Sequence, residues 1–327
     1  MFGALRLRRF YAALLAATVG CALIQFDGSD ARAAVKPSFS PAAGAFSERG
    51  SQSSVPTARG SMLYVSGNSS TVTEYSLPSG AVIGTLGSSS GISDPMGLFF
   101  ADGSLYVTNG NASEVLVFPA GASMPSSILR ESTESPFPWD VTVGKDGTVY
   151  VVDLMDDYCG EGDFEVFEKG QTTPAYVVYM NSWYSFGAAL SKDNYLYVSY
   201  VPDQKAKIAV YAPGAQKGHD VNWHLRSDVS GSQTFPMGMV FDKEGNLVVV
   251  DVNRIDVFAP GVPKPIRHFG KLISGYFLAF DRDRRILYVA DYGANRVKEF
   301  DYETGKLVGS VDSSGPVGIA VDPPAPL

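Results

Sequence analysis

Acidic residues offer the best case for a chemical site in this 327-residue chain, and one short segment concentrates them. Between residues 153 and 163 the sequence carries two glycines and five acidic side chains: Asp153, Asp156, Asp157, Glu161 and Asp163. Carboxylate oxygens are the ligands that Ca²⁺ prefers, but the spacing is not that of an EF-hand loop. An acidic loop that is simply solvated would have the same composition. The segment therefore predicts either a calcium site or a solvated loop, and no other cofactor is predicted.

A single carboxylate, Asp140, stands where related segments of the chain carry glycine or phenylalanine. Its equivalents in those segments are Gly97, Gly187, Gly238, Phe277 and Gly318. A carboxylate at this position could act as a general base or as a metal ligand. It could equally accept hydrogen bonds from backbone amides at the ends of strands. Asp140 is the candidate catalytic residue, and the sequence leaves both roles open.

Large aromatic side chains recur close to Asp140 and its equivalents. Five of them are candidates for a ligand-binding surface: Trp139, Trp183, Tyr184, Phe235 and Tyr276. A concave face lined by aromatic rings suits a carbohydrate, a peptide or an apolar small molecule. Met96 and Met237 occupy the positions equivalent to Trp139 and Tyr276, so packing in the core is the competing interpretation for those two rings.

The segments that position these side chains are repeats of about 40 to 50 residues. Each contains a Leu-Tyr-Val phrase or a close variant, beginning at residues 63, 105, 149, 196, 247 and 287. Short apolar runs separated by Gly, Asn, Asp and Pro at this period are typical of β-propeller blades. The sequence therefore predicts an all-β, six-bladed propeller of four-stranded antiparallel blades. Because the repeats begin on a second strand and end on an innermost strand, the C-terminal strand is expected to join the N-terminal blade and close the ring.

Within residues 61 to 322 the repeats resemble the NHL family of exported bacterial propellers. The match is carried by the strand that ends at Asp291 followed by Asn295-Arg296-Val297, and by Gly245-Asn246-Leu247 with Asp251 and Asn253-Arg254-Ile255. This resemblance implies the six-bladed fold but little about activity, because such propellers include enzymes, sensor domains and scaffolds.

A more distant similarity to gluconolactonase-type propellers suggests a second function. Those enzymes hold one divalent ion at the propeller axis through Glu, Asn and Asp from different inner strands. Of such ligands this chain offers Asp140, while the equivalent positions carry Gly or Phe. The sequence therefore favours a non-catalytic propeller that binds a protein, peptide or carbohydrate on its loop and aromatic face. A metal-dependent hydrolase is the alternative, so whether the chain is an enzyme stays open.

The first 33 residues have the pattern of an export signal. A basic start is followed by an apolar run from Phe10 to Ile24 and by the small residues Ala31 and Ala33 around a cleavage site. The predicted organisation is a signal peptide over 1–33, a flexible linker over 34–60 and the propeller over 61–327. The expected location is secreted or periplasmic. A second interpretation is lipid anchoring through Cys21, whose context resembles a lipoprotein box.

The net charge of the chain limits the kinds of partner that it is expected to bind. Removing residues 1–33 takes away four arginines and two aspartates, which changes the formal net charge from −8 to −10. An acidic domain is a poor match for nucleic acid or for an anionic membrane. No later segment is long and apolar enough to predict a transmembrane span. No internal disulfide bond is expected, because only Cys21 and Cys159 occur and cleavage after Ala33 would leave Cys159 alone.

Overall fold

The computed structural model describes residues 61–67, 70–132, 137–154, 162–180, 182, 184–201, 206–213, 221–225 and 235–326, with the backbone alone for 221–225. These residues form 24 β-strands and three short 3₁₀ turns, Ser88–Ser90, Gly110–Ala112 and Tyr292–Ala294. Within these ranges there is no helix with the length and apolar character needed to cross a bilayer.

The strands are grouped in six four-stranded sheets, the blades. Blade 1 contains β1 (Met62–Gly67), β2 (Thr71–Ser76), β3 (Ala81–Leu86) and the last strand, β24 (Pro316–Asp322). Blade 2 contains β4 (Pro95–Ala101), β5 (Ser104–Asn109), β6 (Glu114–Pro119) and β7 (Ser127–Arg130). Blade 3 contains β8 (Pro138–Val143), β9 (Val149–Asp153), β10 (Asp163–Phe167) and β11 (Tyr176–Tyr179).

The second half of the ring repeats this order. Blade 4 contains β12 (Tyr184–Leu190), β13 (Leu196–Val201), β14 (Lys207–Tyr211) and β15 (Val221–Leu225). Blade 5 contains β16 (Pro236–Phe241), β17 (Leu247–Asp251), β18 (Arg254–Phe258) and β19 (Arg267–Phe269). Blade 6 contains β20 (Gly275–Phe280), β21 (Ile286–Asp291), β22 (Arg296–Asp301) and β23 (Lys306–Asp312).

The predicted closure of the ring is confirmed. β24 pairs antiparallel with β1, with Leu63 opposite Val321 and Met62 opposite Asp322. The C-terminal strand is thus the innermost strand of the blade whose other three strands begin the propeller. This arrangement gives β1 a partner on both sides, so that blade 1 has four strands like the other five blades.

Neighbouring blades pack through the alternating side chains of their strands. In blade 3, Val152 and Phe164 join an apolar cluster with side chains of blade 4. Val151 and Phe167 join a cluster with side chains of blade 2. The odd-numbered positions of β9 and β10 therefore face blade 2. Because neighbouring blades cover both faces of a blade, its strands consist of consecutive apolar residues, as in Val149–Val152.

A β-bulge interrupts each of the six inner strands near its beginning. Inner strands of neighbouring blades come very close at this point. A Cβ atom on Gly187 would lie 1.9 Å from the carbonyl oxygen of Met237, and one on Gly318 would lie 2.0 Å from that of Met96. A Cβ atom does not fit at these two positions, which explains why four of the six blades carry glycine there; Asp140 in blade 3 and Phe277 in blade 6 replace it.

Candidate functional site

The six inner strands surround a central channel. We call the side where the inner strands begin the loop face and the side where they end the turn face. A cavity of about 700 Å³ opens on the turn face, lined by the second halves of the inner strands and by the turns that follow them. Most of the lining side chains on the strands are apolar, including Leu190, Phe241 and Phe280. Its volume and apolar lining are those of a small-molecule pocket.

Asp140 lies in the wall of this channel and is 5% exposed. One carboxylate oxygen accepts a hydrogen bond from the backbone N–H of Val141 at 2.9 Å. The other accepts from the backbone N–H of Ala188, in the neighbouring blade, at 2.8 Å. Burial raises the pKa of Asp140 from 3.8 to about 8, against the opposing effect of these two hydrogen bonds. The carboxylate thus joins blades 3 and 4, as expected for a structural role.

The channel mouth carries side chains of both charge signs from three turns: Lys192, Asp193, Lys243, Glu244 and Arg284. Asp242 braces this region, because its carboxylate accepts hydrogen bonds from the Tyr302 hydroxyl and the Asn246 backbone N–H, both at 2.7 Å. Arg284 donates to the carbonyl oxygens of Asp242 and Pro326. These mouth residues were not predicted from the sequence. They belong to short turns that converge only when the ring closes.

An aromatic plug, formed by Trp139, Tyr184, Phe186, Phe235 and Tyr276, fills the axis towards the loop face. The ring centroid of Trp139 lies 6.3 Å from that of Phe186 and 6.3 Å from that of Tyr276. Phe186 in turn lies 6.0 Å from Phe235. Side chains of the other inner strands, including Met96, Met237 and Val317, complete the same cluster. The plug separates the channel from the loop face.

The candidate ligand-binding aromatics are therefore mostly internal. Trp139 is 5%, Tyr184 6% and Tyr276 8% exposed, because their rings turn inwards and pack against one another. Phe235 is half-buried against the same cluster, and Trp183 lies outside the described residues. For the first three rings the packing interpretation fits these contacts better than an exposed binding surface. The cavity described above opens on the opposite face.

The acidic segment is described only at its two ends. Asp153 ends β9, Asp163 begins β10, and the two face each other in the ladder with no exposed surface. Asp156, Asp157 and Glu161 lie outside the described residues. Two further carboxylates, Glu131 and Glu165, lie near Asp153. Their charges raise the pKa of Asp153, after the larger effect of burial. Sequence reasoning missed them, since Glu131 comes from blade 2. Among the described residues no three His, Cys, Asp or Glu side chains stand in a ready-made metal-binding group.

Comparison with known proteins supports the fold and nothing finer. No protein-family model and no curated protein matches the sequence. Among solved structures, a chain of a nidogen–laminin complex is 16% identical, with a TM-score of 0.62 over 80% of this chain and 98% of that one. A Bacteroides caccae protein of unknown function is 12% identical, with a TM-score of 0.62 over 80% and 98%. A streptogramin B lyase is 12% identical, with a TM-score of 0.56 over 82% and 89%. The six-bladed propeller is confirmed, and the NHL resemblance stays a prediction.

Proposed function

We propose that this chain is an exported, non-catalytic propeller that binds a small ligand in its central channel. The observation that carries the proposal is the cavity of about 700 Å³ beneath the aromatic plug. It is closed towards the loop face, open at the turn face and lined largely by apolar side chains, with charged groups at its mouth. Such a pocket favours a ligand with an apolar body and a polar end.

The fold alone does not choose between binding and catalysis. The similar structures include a chain of a nidogen–laminin complex and a streptogramin B lyase. The channel itself favours binding. Of the carboxylates that line it, Asp140 is the one deep in the wall, and both of its oxygens are engaged by backbone amides. No described residue beside it supplies a second and third carboxylate ligand for an axial metal.

The test is a ligand screen by thermal melting of the chain from residue 34 onwards. Monosaccharides, short peptides and apolar small molecules are compared on the wild type and on Ala279→Trp, which places an indole in the channel wall. Ala81→Trp, on an exposed outer strand, is the matched control. Support is a compound that raises the Tm of the wild type and of Ala81→Trp but not of Ala279→Trp. A screen with no response, or equal responses in all three proteins, would contradict the proposal.

The hydrolase alternative rests on the carboxylate of Asp140 in the channel wall. It requires lactone hydrolysis that depends on an added divalent ion and disappears in Asp140→Asn. If hydrolysis of this kind is observed, the binding proposal is replaced.

A further inference from the structure

The second strands of blades 3, 5 and 6 each end on a buried aspartate, and the stabilisation of this carboxylate is clearest in blade 6. Asp291 ends the second strand there and accepts hydrogen bonds from the backbone N–H groups of Ile273 and Ser274, at 3.0 and 2.9 Å. The ammonium group of Lys298 lies 2.8 Å from the same carboxylate. Arg296 is the cross-strand neighbour of Asp291. Two backbone donors and a cation therefore offset the cost of burying this charge.

Blade 3 carries the equivalent carboxylate with the neighbouring charges inverted. Asp153 corresponds to Asp291, since each is the last residue of its second strand. Asp163 is the cross-strand neighbour of Asp153 and takes the place of Arg296. Glu165 lies two positions further, where blade 6 has Lys298. At these two positions, the basic residues of blade 6 are therefore replaced by acidic residues in blade 3.

A fourth carboxylate reaches the same place from blade 2. Glu131 follows β7, and its neighbour Ser132 donates backbone and hydroxyl hydrogen bonds to Glu165, both at 2.9 Å. The odd-numbered positions of β9 and β10 face blade 2, so Asp153, Asp163 and Glu165 share the gap between the two blades with Glu131. We call these four residues the blade 2–3 acidic cluster.

Among the described residues no N–H, hydroxyl or ammonium donor reaches either carboxylate oxygen of Asp153 or of Glu131, and all four of these oxygens are shielded from solvent. Asp153 has no exposed surface at all. Proline at position 136, the place equivalent to Ile273, has no N–H to offer. Arg130, the nearest basic residue in sequence, bonds Glu114 at 3.2 Å. Asp153 and Glu131 thus lack the backbone and ammonium donors that stabilise Asp291.

The neighbouring sequence does not add a positive charge. Residues 133–136 and 155–161 contain no Lys, Arg or His, and they add Glu134, Asp156, Asp157 and Glu161. Buried carboxylates are strongly destabilising unless a cation or a proton neutralises them. Burial, followed by the charges of Glu165 and Asp163, raises the pKa of Glu131, in keeping with this crowding. Either a bound cation or protons shared between the carboxyl groups must therefore neutralise the cluster.

We propose that Glu131, Asp153, Asp163 and Glu165 bind a calcium ion between blades 2 and 3. A donor set of carboxylate oxygens alone selects a hard cation. Ca²⁺ accepts six to eight oxygens in flexible geometry, whereas Mg²⁺ gives up its water reluctantly and is less suited to a site shielded from solvent. In the structure the four carboxylates do not form a ready-made coordination group. Calcium draws them together and fastens the end of β7 to β9 and β10.

Calorimetric titration and thermal melting of the chelator-treated chain from residue 34 onwards test this directly. Added Ca²⁺ is expected to bind at one site and, at about 100 times its Kd, to raise the Tm by roughly 5 °C. Mg²⁺ at the same concentration is expected to raise it much less. The response is expected to vanish in Asp153→Asn and in Glu131→Gln.

The matched control is Asp291→Asn, the same substitution in blade 6. It should lower the Tm, because it weakens bonds to Ile273, Ser274 and Lys298, yet leave the calcium response intact. Without calcium, Asp153→Asn is expected to melt at a higher temperature than the wild type, since it removes one repelling charge. A wild type with no calcium response would overturn the proposal and assign the neutralising role to shared protons. A response that survives in both Asp153→Asn and Glu131→Gln would also overturn it, because the ion would then bind elsewhere.

Discussion

The rings of Trp139 and Tyr276 lie 6.3 Å apart although their strands belong to blades 3 and 6, which stand opposite each other in the ring. A contact of this kind is made only when the aromatic side chains meet on the axis itself. It closes the channel towards the loop face and leaves the turn face as the route to the cavity of about 700 Å³. The aromatic residues therefore determine from which side a ligand enters, and need not contact it themselves.

Truncating the central ring of the plug should be costly. We expect Trp139→Ala to lower the free energy of unfolding by about 3–5 kcal/mol, because it leaves a large cavity among side chains that six separate blades hold in place and that cannot move in to fill it. Trp139→Phe should cost less: it keeps an aromatic ring, and the indole N–H has no hydrogen-bond partner among the described residues. Urea denaturation of the three proteins measures both values. Equal stability of Trp139→Ala and the wild type would show that the plug is not packed as described.

The close approach of the inner strands makes a second prediction. In Gly187→Ala the new methyl group would lie 1.9 Å from the carbonyl oxygen of Met237, so the two blades must separate. We expect a loss of more than about 3 kcal/mol in the free energy of unfolding. Gly87→Ala is the control, because its Cβ would meet only a methyl group of Thr71 at 3.6 Å. That variant should stay within about 0.5 kcal/mol of the wild type, and similar losses in both would contradict the explanation.

The repeat period was sufficient to predict the blades and the closure by β24, because both depend on the order of apolar runs and turns along the chain. It did not predict the bulges. A bulge depends on how closely the backbone of one blade meets the next, as at Gly187 and Met237. The same limit applies to the plug: alternation indicates that Trp139 and Tyr276 are inward positions, but only the closed ring brings opposite blades into contact.

The acidic cluster illustrates the limit for a site. Asp153 and Asp163 were visible as candidates because they flank one acidic segment. Glu165 and Glu131 were not, because their relevance depends on strand register and on the packing of blade 2 against blade 3. Comparison of equivalent positions in blades 3 and 6, Asp163 with Arg296 and Glu165 with Lys298, would have exposed the inverted charges from the sequence. That comparison requires the register, which the bulges and loops of unequal length obscure.

Asp140 predicts a pH dependence of stability. Burial raises its pKa to about 8, so the folded chain holds this proton more tightly than the unfolded chain, where the pKa is near 3.8. The stabilisation is complete below pH 4 and is lost as the pH rises towards 8, by at most about 1.4 kcal/mol per pH unit. Asp140→Asn cannot titrate. Urea denaturation between pH 5 and 8 should show a shallower decline for Asp140→Asn than for the wild type, and parallel declines would contradict the assignment.

Ring closure can be tested by removing the strand that provides it. A chain from residue 61 that ends at 315 lacks β24, so β1 loses its ladder with residues 316–322, and the buried side chains Val317, Ile319 and Val321 are lost with it. We expect this chain to aggregate or to lose cooperative melting, since an inner edge and the faces of blades 2 and 6 become exposed. The control begins at residue 61 and ends at 327. A synthetic peptide of residues 314–326 should restore cooperative melting to the truncated chain by adding the missing strand. If the truncated chain melts like the control without the peptide, β24 does not hold the ring closed, and each blade pair must be stable without it.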